Sequence, residues 1–236
     1  MAEYGPNVAK IAALIGDPVR ARMLFALLDG NEVSASELAF RAKASAQSAS
    51  GHLSKLVEGG LLTARTAGRQ RLFRLASPHV ASAVETLASI APATPIVSLG
   101  QHNAMRRVRE ARSCYDHLAG RLGVAVTEAL VARGAIALGD REFDVTRLGS
   151  RFLRSIGVDV AAAREHRRSF ARACMDWTER RWHLAGSLGS LLLQQMLQQQ
   201  WVRRSSSDRS LHVTPAGQRE LIRTFGLRFG SDGLVD

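Results

Sequence analysis

Apolar residues recur at helical spacing along most of this chain, and polar caps punctuate them. In "DPVRARMLFALLDG", Val19, Met23, Ala26 and Leu27 form one stripe. Asp17 stands in N-cap position, Pro18 at the first helical position, and Gly30 closes the segment. "SASELAFRAKA" opens with Ser34 and Glu37 at the spacing of a capping box. After a turn at Ala44-Ser45, a third helix is expected from about Ala46 to Glu58, ending at Gly59-Gly60. The period then changes. "LLTAR" and "RLFRLA" flank the turn "TAGRQ", which predicts a hairpin with Gly68 in its turn. Ser77-Pro78 starts another helix, to about Ile90.

The third helix has two faces. Ala46, Ala49, Leu53, Leu56 and Val57 suit a core. Gln47, Ser48, Gly51, Ser54 and Lys55 lie opposite, with Ser50 and His52 at the border. A narrow face of small hydrogen-bonding groups suits a helix that enters the DNA major groove, where Gln reads adenine and Ser meets bases or phosphates. With the preceding helix and tight turn this makes a helix-turn-helix. The hairpin that follows carries Arg65, Arg69, Gln70 and Arg71 at or near its tip, placed to meet phosphates or a narrow minor groove. The expected DNA-binding set is therefore Ser45, Gln47, Ser48, Ser50, Gly51, His52, Lys55, Arg65, Arg69, Gln70 and Arg71.

These residues carry a family resemblance. Asp17, Arg20 and Leu24, then Glu37 and Leu38, then Ser50, His52, Leu53, Leu56, Gly60, Leu61 and Leu62, and finally Gly68, Arg69, Phe73 and Leu75 follow the pattern of the winged helix-turn-helix of ArsR/SmtB regulators. The chain resembles that family over about residues 5 to 90. The resemblance implies a dimeric repressor, released from its operator by an inducer, with a recognition helix at 46–58 and a wing at 61–76. Gly51 departs from the pattern, since relatives often carry a longer polar side chain there. The family's metal sites are also missing. "ELAFRAK" has no Cys, and in "SPHVASAVETLASIA" His79 lacks the Asp and the second His that such a site uses.

Residues 91 to 100, "APATPIVSLG", hold two prolines and little charge. They divide the chain into a DNA-binding domain, 1–92, and a helical dimerisation or effector domain, 93–236. The second half repeats itself. His117, Leu118, Ala119, Gly120, Leu122 and Gly123 recur 66 positions later, and "VTRLGSRFL" matches "VTPAGQREL" at an offset of 68. Two winged-helix-like units are expected, about 101–157 and 158–227. The intervening "VAAAREHRRSFARACMDWTERRWHLAG" reads as helix, with Phe170, Cys174, Trp177 and Arg181 on one stripe. The fold class expected is thus mainly α with small β-hairpins.

Composition narrows the function. The net charge is +11, supplied almost wholly by arginine, with Lys only at 10, 43 and 55. That favours double-stranded DNA as partner. No apolar run approaches the roughly 20 residues of a membrane span, and two cysteines make no disulfide framework. A cytoplasmic location and no membrane partner are expected. No Walker loop, GxSxG, H-E-x-x-H or Cys-x-x-Cys occurs, so an enzyme is not expected.

Two alternatives to an inducer-released repressor stay open. One is an architectural DNA-binding protein without a switch. The other is a metal- or thiol-redox-sensing repressor using Cys114 and Cys174. No cofactor is otherwise expected. The effector or metal candidates are Cys114, His117, Cys174, Trp177 and His183, with Cys114 and His117 one turn apart and Cys174 and His183 on one long helix. Without gaps, Cys114 aligns with Arg180, which argues against a shared role for the cysteines. A small organic effector could also be received by the helical half, where Tyr115, Phe170, Trp177 and Trp182 are candidate pocket residues.

Overall fold

A computed structural model describes residues 5–92, 95–230 and 233–235. The chain divides into two compact units, Met1–Glu85 and Thr86–Asp236. The division falls inside a helix, upstream of the proline-containing stretch at which the sequence suggested a boundary; Ala93 and Thr94 of that stretch lie outside the described residues.

The first unit opens with α1 (Val8–Ile15), which no sequence signal announced, and α2 (Pro18–Ala26). The Asp17 side chain caps α2 by accepting from the backbone N–H groups of Val19 and Arg20. Arg20 reaches back and donates to the carbonyls of Leu14 and Ala13 at 2.6 and 2.8 Å, satisfying orphan acceptors at the end of α1. A short strand β1 (Val33–Ser34) leads into α3 (Ala35–Arg41). Only half of the expected capping box forms. Ser34 accepts from the Glu37 N–H, while the Glu37 carboxylate turns to Arg41. After the turn at 42–45 comes α4 (Ala46–Glu58), capped by Ser45, then the antiparallel pair β2 (Leu62–Ala67) and β3 (Gln70–Leu75).

β1 joins the outer edge of β3, so the wing is three-stranded in the order β1-β3-β2. Met23, Leu24, Leu27 and Leu28 pack with Leu38, Leu53, Leu56, Leu62, Phe73 and Leu75 in this unit's core. The buried stripe of α4 is Ala49, Leu53 and Leu56; Val57 is half-buried and Ala46 is exposed, which narrows the expected core face at its N-terminal end. The last helix of this region is α5 (Pro78–Ile90), which contains the division between the units.

The second unit begins with α6 (Leu99–Glu110). Then one order of elements occurs twice. The first pass is β4 (Arg112–Cys114), β5 (His117–Ala119), α7 (Gly120–Ala132), β6 (Ile136–Leu138), β7 (Phe143–Val145) and α8 (Arg147–Ser155). After α9 (Val160–Glu165), the second is β8 (Ala173–Met175), β9 (Trp182–Leu184), α10 (Gly186–Gln198), β10 (Val202–Arg204), β11 (Leu211–Val213) and α11 (Pro215–Phe225).

The long helix expected between the copies is absent. Cys174 and His183 stand opposite each other on the β8–β9 hairpin, as Cys114 and His117 do on β4–β5. The stripe of Phe170, Cys174, Trp177 and Arg181 therefore does not exist. The reason is local: strands of three residues with two buried neighbours and a half-buried third show no alternation that could separate them from buried helix.

The two passes interlock. β5 packs on α10 and α7 on β9. β4 is bridged to the second pass at Arg112 and Ser210, and the segment before β8 to the first pass at Arg172 and Glu142. The backbone bonds from Ser113 N to Arg209 O and from Leu211 N to Ala111 O have counterparts from Ala173 N to Arg141 O and from Phe143 N to Ala171 O. Isolated bridges thus link the two-stranded hairpins of the two halves, around a shared core that includes Leu122, Leu130, Leu153, Leu188, Met196 and Leu221.

The repeated "HLAG" has a backbone cause. Gly120 and Gly186 hold φ of 78° and 75°, and a Cβ there would meet the Arg109 and Ser169 carbonyl oxygens at 2.5 and 2.6 Å.

Candidate nucleic-acid interface and a buried cysteine–histidine cluster

On α4, Ser45, Gln47, Ser48, Ser50, Gly51 and Lys55 are exposed, opposite the buried stripe. His52 lies at the border of that face, where the sequence puts it. Its ring is half-buried and Nδ1 lies 3.6 Å from Asp17 Oδ1. The backbone N–H of Arg20 and then, against some burial, the Arg20 and His52 charges hold the Asp17 carboxyl below its ordinary value. Asp17, Arg20 and His52, spaced far apart in the family pattern, thus form one cluster that ties the end of α1 and the start of α2 to α4. His52 thus adds to this brace from the border of the exposed face.

The wing arginines also divide. Arg65 makes a two-pronged ion pair with Glu32, which holds that carboxyl below its usual value and anchors the base of the hairpin. The Arg65 side chain nevertheless stays more than half exposed, at 56%. The Arg71 guanidinium lies 5.2 Å from the centre of the Phe73 ring. Arg69 and Gln70 are exposed at the tip, beside Gly68 with φ of 59°.

Gly51 is unusual in having no steric reason to be glycine. Nothing lies within 4 Å of a Cβ built there. Gly51→Ala is expected to stabilise the first unit by about 1 kcal/mol through helix propensity, read as a higher denaturation midpoint. An unchanged or lower midpoint would show that α4 does not tolerate the methyl group.

In the second unit, Cys114, His117, Cys174 and His183 meet. Their ligand atoms all lie within 4.8 Å of one another, and all four residues are buried. The sulfur atoms are 3.9 Å apart and the two Nε2 atoms 3.1 Å apart, with the rings stacked at 5.1 Å. Ala119 and Ala185 close the pocket around the two sulfurs. The ungapped pairing of Cys114 with Arg180 is thereby corrected. Two residues separate Cys114 from His117 and eight separate Cys174 from His183, so the second turn is longer and the cysteines are structural counterparts.

The outer nitrogens face carboxylates. His117 Nδ1 is 3.4 Å from Asp116 Oδ1, and His183 Nδ1 is 3.7 Å from Asp176 Oδ2. Asp116 is itself paired with Arg168. The Cys114 thiol and then, against burial, the two imidazoles hold the Cys174 thiol well below its ordinary value. Burial disfavours the charged His117 ring, yet Asp116 and Cys174 outweigh it and raise the ring above its ordinary value.

Beside the cluster, Arg112 and Asp176 form an ion pair at 2.9 Å, both fully buried. Asp176 also accepts from the Gly120 N–H at 2.7 Å and from the Thr178 and Glu179 backbones. Burial pushes its carboxyl up, but the Arg112 and His183 charges and these hydrogen bonds win, leaving it well below the usual carboxylate range. Trp177 is not at the cluster's ligand atoms. It lies beneath the Arg112 and Arg209 guanidiniums, at 4.9 and 5.7 Å. Phe170 is covered by Arg164, and Trp182 packs on the core. These aromatics support the hairpins. Asp116 and Asp176 were missed from sequence as partners of the histidines, although each lies within two residues of a cluster cysteine.

A helix with one buried face and one of small polar groups, followed by a basic hairpin, defines a winged helix-turn-helix, the DNA-binding module of many transcriptional regulators. A helix-turn-helix domain model matches residues 15–65. YdfF of Bacillus subtilis (strain 168), named as an uncharacterized HTH-type transcriptional regulator, is 41% identical over 213 residues, covering 90% of this chain and 94% of that protein. The chain belongs to this family of HTH-type transcriptional regulators.

Among solved structures, reduced HlyU from Vibrio cholerae N16961 is 28% identical with a TM-score of 0.33, over 36% of this chain and 88% of that one. The transcriptional repressor BigR from Xylella fastidiosa is 28% identical with a TM-score of 0.34, over 37% of this chain and 88% of that one. Among the described residues, no helix is long and apolar enough to cross a membrane.

Proposed function

We propose that this regulator is a repressor of the ArsR/SmtB type that acts in the cytoplasm as a homodimer on a pseudo-palindromic operator. It has no enzymatic activity of its own, and it leaves DNA when an inducer binds. The second unit is, on this reading, a duplicated module that carries the response. One observation bears most of the weight: Gln47, Ser48, Ser50, Gly51 and Lys55 share the exposed face of α4, directly before a basic wing. The charge of +11 supports attraction to a polyanion.

The test is selection of bound duplexes from genomic fragments, followed by affinity measurements over a salt series. A preferred site with half-sites about one helical turn apart is expected. Gln47→Ala should cost about 1–3 kcal/mol at that site and flatten the preference at one base pair. Arg69→Ala should weaken all sequences alike and lower the salt slope by about one. Equal binding to every duplex, unaffected by Gln47→Ala, would leave a non-switching architectural protein as the better reading.

A further inference from the structure

We infer that Cys114, His117, Cys174 and His183 form a closed tetrahedral site for a zinc-type divalent cation, which clasps the two halves of the second unit together. The donor set is two thiolates and two imidazoles, a combination that selects zinc among common divalent metals. The geometry fits. With bonds of about 2.3 Å to sulfur and about 2.0–2.1 Å to nitrogen, tetrahedral ligands sit about 3.8 Å apart for S–S and about 3.3 Å for N–N. The separations here are 3.9 and 3.1 Å, and all four ligand atoms lie within 4.8 Å of one another, against about 3.6 Å for S–N in such a centre, so sulfur and nitrogen draw together as the metal enters.

Each half supplies one Cys and one His from a two-stranded hairpin, and the two hairpins are held by reciprocal sheet and helix contacts. The ligands are thus placed by backbone, not by flexible surface side chains. Both Nδ1 atoms face carboxylates, Asp116 and Asp176, which directs Nε2 toward the centre. All four ligands are buried, and four protein ligands fill the coordination sphere, the pattern of a structural centre rather than a catalytic one. A Cys114–Cys174 disulfide explains the pair less well. It needs the sulfurs at about 2.05 Å, and it gives no role to two imidazoles converging on the same point.

The site is independent of the DNA-binding reading, and its test needs no DNA. The full chain is purified, its metal content measured by atomic emission, and the chelator-treated protein titrated with Co2+ and then Zn2+. One equivalent of metal per chain is expected, with visible ligand-field bands of a tetrahedral Co2+ centre, thiolate charge transfer, and displacement by Zn2+. A chelated protein that loses structure and regains it with one equivalent of Zn2+ also supports the site.

Cys114→Ser and Cys174→Ser should each abolish tight one-to-one uptake; either variant keeping wild-type affinity overturns the proposal. Should those variants fail to fold, the wild-type spectrum decides. Folded apo-protein that takes up no Co2+, or that binds it without thiolate charge transfer, overturns the site, as does metal-free protein isolated with a Cys114–Cys174 disulfide. Asp116→Asn, which keeps all four ligands, should weaken Zn2+ binding about 10–100-fold with the Co2+ spectrum retained. Unchanged affinity would remove Asp116 as a positioning residue.

Discussion

Asp176→Ala is expected to destabilise the second unit by about 3–5 kcal/mol, because it strands the buried Arg112 guanidinium without a counter-charge. Arg112 and Asp176 are both fully buried and 2.9 Å apart, and the carboxylate also holds the first N–H of α7 and the turn at 178–179. The loss should be visible in urea unfolding followed by tryptophan fluorescence. Trp177, Trp182 and Trp201 are the chain's three tryptophans, and all lie in this unit. The double variant Arg112→Met with Asp176→Asn should recover part of the loss, since replacing a buried pair is much less costly than breaking it. A single-variant loss below about 1 kcal/mol would mean that water reaches Arg112 and that the pair is not buried in solution.

Gly217→Ala should destabilise the same unit by about 1–3 kcal/mol through overpacking. A Cβ at Gly217 would stand 1.9 Å from the Trp201 carbonyl oxygen, and at Gly149 the same distance from that of Ala135. Backbone must move in either case, because no flexible side chain can yield. The two glycines occupy equivalent places, each in the first turn of a helix capped by Thr146 or Thr214. Matching losses are therefore expected from Gly149→Ala and Gly217→Ala, opposite in sign to the gain at Gly51. Midpoints that do not fall would show that the helices can shift away from the β6 and β10 ends without cost.

The first unit was legible because its signals are local. Asp17, Ser34 and Ser45 each cap a helix within three residues, and Phe73 and Leu75 alternate with the exposed Arg74. What escaped there depends on distance. β1 is two residues long and is a strand only because Phe73 and Leu72 lie beside it. His52 belongs to a contact with Asp17, 35 positions earlier.

In the second unit the recurring order of elements is marked by "HLAG", since glycine is demanded by backbone geometry at Gly120 and Gly186. The β4–β5 and β8–β9 hairpins could not be read, unlike β6–β7 and β10–β11, because Arg112–Cys114 is buried throughout and Trp182–Leu184 nearly so, which removes the alternation that marks a strand. The cysteine–histidine cluster was half legible. Its four residues were candidates, but a fixed offset of 66 broke the match between the cysteines. Counting outward from His117 and His183 to the nearest upstream cysteine would have paired them.

The interlocked halves have a consequence for how the centre responds to its surroundings. A symmetric site shared by two subunits dissolves on dilution, because each half must find the other. Here both halves are one covalent chain, so their meeting is intramolecular and its effective concentration is set by the connecting segment around α9. The pairing of the two halves is therefore independent of protein concentration. It is also free to be lopsided: eight residues separate Cys174 from His183 against two between Cys114 and His117, and Asp176 pairs with the buried Arg112, an asymmetry that two identical subunits could not encode.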